Sequence, residues 1–178
     1  NGRAGVLGIH LPKNFDTPYF AQSVQEFWRR WHISLTSWFR DYVYIPLGGS
    51  RCASWKKYRN VLIVFLVSGL WHGALWTFVL WGAIHGFYQI FGGLPKPLRE
   101  KALDVLRVNR QATSYKLFRM LITFLLVDLG WLFFRAEGLG TAAAMLKHIV
   151  TQLHPTDLVG QAFYTMGLDR QDIWALVL

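Results

Sequence analysis

A single cysteine, Cys52, is all that the chain of 178 residues contains. One thiol excludes a disulfide-stapled scaffold and any zinc site built on cysteines, and it leaves the redox compartment open. Charge is scarce as well. Asp, Glu, Lys and Arg make up 16% of the residues, against roughly 25% in an average soluble domain. Acids are the scarcer sign, 10 against 19 basic residues. From Asn60 to Pro95 there is no charged residue at all. What fills the space is 53% hydrophobic, with nine Trp, thirteen Phe and seven Tyr. That composition excludes a disordered chain.

The net charge of +9 is confined to two places. Arg51, Lys56, Lys57 and Arg59 stand together without an acid, and seven basic residues between Lys96 and Arg119 face only Glu100 and Asp104. Elsewhere the signs cancel. Between these segments lies the uncharged stretch, far longer than the roughly 20 residues that one helix needs to cross a bilayer core. The chain is therefore expected to be an integral membrane protein. It starts at Asn1 without a signal-peptide pattern, and Asp172-Ile173-Trp174-Ala175-Leu176-Val177-Leu178 opens an apolar run that stops early. Residues 171–178 are accordingly expected to be the start of a truncated span, and the whole to be part of a longer polytopic protein.

Along the chain, residues 1–16 are Gly-rich and loop-like. Asp16-Thr17-Pro18 reads as a helix start, a capping side chain before Pro at the first helical position. Phe20, Val24, Phe27, Trp31, Leu35, Trp38 and Tyr42 then recur with a 3.6-residue period, which predicts one amphipathic aromatic helix over 20–45, lying in the interface or packed on other helices. Glu26 and Arg30 are spaced to pair on it. Pro46, Gly48 and Gly49 end it. The uncharged region 60–95 is punctuated by glycines, and one straight helix of about 32 of its residues would run about 48 Å against a hydrocarbon core of about 30 Å. A tilted helix, a broken one or two short ones remain open, and the flanking basic segments favour a return to the same side. A transmembrane helix is predicted over 117–135, with Asp128 inside it. Residues 136–170 are mixed, with an amphipathic helix around Thr141–Val150.

Six histidines carry the possible chemistry. His72 sits inside the uncharged stretch, where an imidazole must find a partner or face a wet cavity. Neutral imidazole suits a general base on a hydroxyl; a core histidine bonded to a backbone carbonyl is the other reading. His32 lies among tryptophans, as an interface histidine does. His85 follows His72 by thirteen residues, about 220° around a helix, so the two share no face of one straight helix and make no metal pair there. No HExxH, paired-carboxylate or Cys cluster offers another metal site. Leu47-Gly48-Gly49-Ser50 lacks the pattern of a phosphate loop, and Gly-x-Ser-x-Gly is absent. Beside a membrane stretch, basic residues among aromatics point to anionic lipid rather than nucleic acid.

The longer motifs go further. Glu26-Phe27-Trp28-Arg29-Arg30-Trp31-His32-Ile33-Ser34-Leu35, Trp38-Phe39-Arg40-Asp41-Tyr42, Tyr44-Ile45-Pro46-Leu47-Gly48-Gly49 and Ser68-Gly69-Leu70-Trp71-His72-Gly73-Ala74 occur in order, followed by Trp81-Gly82, His85-Gly86 and Gly130-Trp131-Leu132-Phe133-Phe134-Arg135. Together they resemble the membrane-bound O-acyltransferase family, in particular its bacterial, alginate-acetylating branch. The resemblance runs from about residue 12 to 150. It implies an all-α, polytopic membrane fold with re-entrant and interfacial helices, of which residues 1–178 would be a C-terminal-half fragment. It also implies His72 as the catalytic base and His32 as an orienting or proton-moving partner. Trp28, Trp31, Trp38 and Trp71 would shape a substrate cavity, with Arg40 and Asp41 pairing beside the turn at Pro46. No resident cofactor or metal is implied; the acyl donor would be acetyl-CoA or another thioester. Expected partners are membrane lipid, a polysaccharide acceptor and an extracytoplasmic transfer protein, in the inner membrane of a bacterium. Alginate, peptidoglycan, another exopolysaccharide and teichoic acid all remain open as acceptor. A non-enzymatic conduit or assembly scaffold is the alternative.

Overall fold

The computed structural model describes residues 13–92, 96–105 and 107–152. Among these every regular element is helical, and the chain divides into two compact units after Leu139. The apolar run expected at 171–178 lies outside the described residues, as does most of the N-terminal loop.

The aromatic stretch expected to be one helix over 20–45 is instead several pieces. Pro18–Phe20 is a single 3₁₀ turn preceded by Thr17 in the left-handed region (φ 44°). α1 spans Val24–Arg30, capped by Ser23, whose side chain accepts from the Glu26 backbone N–H. Glu26 Oε2 in turn accepts from the Gln22 backbone N–H. Glu26 also binds Arg30 at 2.5 Å, the i,i+4 pair that the spacing predicts. α1 stops at Trp31, and His32 turns left-handed (φ 47°, ψ 52°) before α2 begins at Ile33. α2, Ile33–Phe39, runs on into a wider π-helical turn at Arg40–Tyr44. Gly48 and Gly49 then take positive φ (105° and 55°), the conformation that a side chain would resist.

The break at His32 has an identifiable cause. A left-handed residue with a full side chain costs of order 1–2 kcal/mol, and a strap from residues 13–17 holds it. Asn14 accepts the Ile33 N–H on its backbone carbonyl at 2.9 Å, and its side-chain oxygen accepts the Ser34 N–H at 2.9 Å and the Ser34 hydroxyl at 2.6 Å. Asp16 N–H donates to the Arg30 carbonyl at 2.9 Å. Orphan groups at both helix ends are thereby satisfied by a segment far away in sequence.

The uncharged region resolves into a helical hairpin. α3 spans Ser54–His72 and α4 spans Trp76–Phe91, with only Gly73, Ala74 and Leu75 between them. α3 therefore starts six residues before the uncharged stretch, on Lys56, Lys57 and Arg59. The helices run antiparallel at close approach. A side chain at Gly69 would strike the Phe78 carbonyl, and one at Gly82 the Phe65 carbonyl. Small residues here let backbone meet backbone. Buried Asn60 fastens α3 to the preceding turn, donating to the Leu47 carbonyl at 2.8 Å.

α5 spans Lys96–Val105 and α6 spans Thr113–Arg135. α6, which contains the span predicted over 117–135, is the one helix among the described residues long and apolar enough to cross a membrane, with a mean hydropathy of 1.9. It meets the hairpin and α1 along Thr123, Val127 and Gly130, and the core of the unit is Phe27 and Ala21 on Val127, surrounded by Trp28, Trp31 and Trp131. Reciprocal carboxamide bonds tie α1 to α4: Gln25 donates to the Gln89 carbonyl at 2.9 Å, and Gln89 to the Val24 carbonyl at 3.4 Å. The second unit holds most of α7, Leu139–Thr151, which covers the amphipathic helix expected at 141–150.

Candidate active site

α3 presents one face of residues to a cavity of about 960 Å³: Lys57, Val61, Val64, Ser68 and His72, four or three residues apart. That spacing is a single helical stripe, and it carries the lining from the basic start of α3 to its last residue. Opposite stand Trp28 and Arg29 of α1, the break residues Trp31 and His32, Arg40 and Tyr44 of the π-helical turn, Trp81 and Gln89 of α4, and Trp131 and Phe134 of α6. The fold thus brings His32 and His72, forty residues apart, to one cavity.

Each histidine is set by its place in an element. His72 closes α3 immediately before the hairpin turn, and its ring is held edge-on by Trp71 at 5.1 Å, Trp81 at 5.3 Å and Phe134 at 5.0 Å between centroids. Edge-to-face packing of this kind fixes a ring in place without engaging its nitrogens. His32 reaches the cavity from a left-handed backbone, and among the described residues its buried Nδ1 has no hydrogen-bond partner. Strain and an unsatisfied buried nitrogen at one residue mark a functional site better than either alone.

Of the other residues predicted for the site, Trp28, Trp31 and Arg40 line the cavity. Trp38, Asp41 and Trp71 lie outside its lining. Trp38 and Trp71 are half or more exposed, at 50% and 63%. Trp71 follows from helix geometry: a neighbour in sequence points about 100° away around the axis, so it backs His72 rather than the cavity. Asp41 does pair with Arg40, Nε to Oδ1 at 2.8 Å and Nη2 to Oδ2 at 3.2 Å. That contact holds the Asp41 carboxyl below its ordinary pKa. Among the described residues no three His, Cys, Asp or Glu side chains gather as a metal site would need.

Trp81 and His85 stand in the sequence motifs without a predicted site role, His85 being weighed only as a metal partner of His72. Trp81 is 3% exposed and touches both His72 and His85. His85 is fully buried and accepts the Trp28 indole N–H on Nδ1 at 3.2 Å. The hairpin, which folds α4 back along α3, brings Trp81 to His72, and the packing of α1 on α4 brings Trp28 to His85.

The match to protein families decides the relationship. Residues 4–127, more than half of the chain, match the model of the membrane-bound O-acyltransferase family. The chain belongs to that family. Within it, the chain is 46% identical over 170 residues to a protein of Pseudomonas aeruginosa named probable alginate O-acetylase, covering 92% of this chain and 31% of that protein. It is 44% identical over 150 residues to the peptidoglycan O-acetyltransferase of Helicobacter pylori, covering 81% and 26%. A teichoic acid D-alanyltransferase of Streptococcus thermophilus is 31% identical over 147 residues, covering 74% and 34%. The chain spans about a quarter to a third of the length of these O-acyltransferase relatives.

Proposed function

We propose that the protein is a membrane O-acyltransferase that moves an acyl group, acetyl in the simplest case, from a thioester donor such as acetyl-CoA to hydroxyls of an extracytoplasmic polysaccharide, directly or through a partner protein. The observation that carries this reading is the meeting of His32 and His72 in one aromatic-walled cavity. The names of the relatives, which join acyl groups with alginate, peptidoglycan and teichoic acid, support the acceptor class. The family and the apolar α6 support a bilayer setting, proposed as multi-pass in the bacterial inner membrane with the α3–α4 hairpin buried in it.

The chemistry runs through His72. Its neutral ring takes the proton from the acceptor hydroxyl as the oxygen attacks the donor carbonyl carbon. The carbon–oxygen bond forms, the carbon–sulfur bond breaks, and the departing thiolate takes the proton back from the imidazolium. His32 orients the acceptor across the cavity. Trp28, Trp31 and Trp81 exclude water, which would otherwise hydrolyse the donor. The step as written draws on the donor's own thioester and uses no resident metal.

The test compares wild type with His72→Ala in the full-length protein, expressed in a strain lacking it. Ester-linked acyl groups on secreted and wall polysaccharides are released by hydrolysis and quantified by NMR. Loss of acyl groups from one polymer, with the variant still in the membrane, supports the reading and identifies the acceptor. Full acylation by a stable His72→Ala protein sinks the general-base role.

A further inference from the structure

A buried histidine with one nitrogen in use and the other unpartnered requires a reason, because an apolar side chain would fill the same space without desolvating a polar edge. His85 is such a residue. It is fully buried and does not line the cavity. Trp28, which does line it, donates its indole N–H to His85 Nδ1 at 3.2 Å. An indole nitrogen only donates, so Nδ1 must hold the lone pair and the ring proton must sit on Nε2. Among the described residues Nε2 is buried with no hydrogen-bond partner. Against that edge lies Gly130 of α6, where any Cβ would run into Nε2 and come within 3.1 Å of Cε1 and 3.2 Å of Cδ2. Phe65 stacks on the ring at 6.2 Å and Trp81 meets it at 5.1 Å. The imidazole is thus clamped from α3, from its own helix and from α6, with one lone pair offered to Trp28.

We propose that His85 is a positioning residue for substrate binding: it holds the Trp28 indole as the cavity wall behind His72, and the glycine at 130 exists to let it do so. This rests on the acyltransferase reading. The wall is continuous, since Trp28 packs on Trp81 at 5.7 Å and Trp81 on His72 at 5.3 Å. Releasing Trp28 changes the shape offered to the acyl donor while leaving the His72 nitrogens untouched. The loss therefore falls on binding and on acyl-group size more than on the proton transfer itself.

The experiment uses the full-length protein in detergent, labelled with [¹⁵N]Trp, with the Trp28 indole resonance assigned by its loss in Trp28→Phe. His85→Asn keeps an acceptor oxygen near the place of Nδ1, and His85→Leu removes it at similar volume. Gly130→Ala drives the ring away. The indole N–H is expected to stay downfield and slow to exchange in wild type and His85→Asn, and to move upfield and exchange faster in His85→Leu and Gly130→Ala. With acetyl-CoA and butyryl-CoA as donors, His85→Leu should raise the acetyl-CoA KM about tenfold with kcat changed far less, and should lower discrimination against butyryl. His85→Asn should restore both, and Trp28→Phe combined with His85→Leu should cost no more than either alone. An unmoved indole resonance in His85→Leu, or His85→Asn behaving like His85→Leu, overturns the proposal. If His85→Leu does not fold, His85→Gln, whose amide overshoots the indole, takes its place with the same expectation. Absence of transfer by wild type from either donor would refute the acyltransferase reading, while the indole resonances would still decide the Trp28–His85 pairing.

Discussion

Replacing Gly82 by alanine separates backbone contact from side-chain contact within the hairpin. The new methyl would overlap the Phe65 carbonyl oxygen, lie 3.0 Å from its carbon and 3.5 Å from the Leu66 Cα. A carbonyl inside a helix cannot rotate away, so the helices must part by roughly 1 Å to restore an ordinary carbon–oxygen contact of about 3.3–3.6 Å. A gap of that size forfeits roughly a quarter to a half of each neighbouring contact, and overpacking of this kind costs about 1–3 kcal/mol. The better helix propensity of alanine returns at most about 1 kcal/mol. At Gly86 the methyl meets the Leu62 Cδ1 at 2.9 Å, the free end of a side chain, while the nearest backbone atom lies at 3.5 Å. There the propensity gain offsets the crowding. Gly82→Ala should therefore lower the melting midpoint of the full-length protein by several degrees, at roughly 2–4 °C per kcal/mol, and Gly86→Ala should leave it near wild type. Thermal-shift chromatography in detergent reads both. Equal melting of the two variants would refute the reasoning, because it would mean that the backbone approach carries no cost.

Two further outcomes follow from residues outside the cavity. Asn60→Ala leaves the half-buried Leu47 carbonyl without its donor, a loss of about 0.5–1.5 kcal/mol, and should lower the melting midpoint while Asn60→Asp, whose carboxylate cannot donate, should not rescue it. For Asp41 the sign is set by Arg40, whose hydrogen bond holds the carboxyl below its ordinary value of 3.8. A lowered folded pKa makes the pair's contribution present above that value and lost as pH falls through the folded one. Asp41→Asn should thus lose the pair's small contribution at neutral pH and, with it, the acid-side fall in stability; an identical acid limb in both proteins would rule the pair out as its source.

The uncharged stretch showed its architecture through what it lacked. With no charge for 36 residues and a glycine every few positions, a hairpin of two short helices was among the few solutions open to it, and it is the one that forms. The break at His32 was invisible because the aromatic spacing continues across it. Its cause, the strap at Asn14, lies eighteen positions away and acts only once folded. Trp38 and Trp71 were placed in the site because they neighbour site motifs in sequence, yet adjacent residues on a helix diverge in direction. His85 was tested only as a metal partner of His72 on one straight helix. Its real contact, Trp28, is 57 residues away and is made only by the packing of α1 on α4.

The stripe on α3 has a geometric consequence. Lys57 and His72 are fifteen residues apart on one unbroken helix, about 22 Å along its axis. One unbroken helix carries both residues, so their separation is set by helix pitch, and a molecule that touches Lys57 while meeting the His72 imidazole must itself reach about 22 Å.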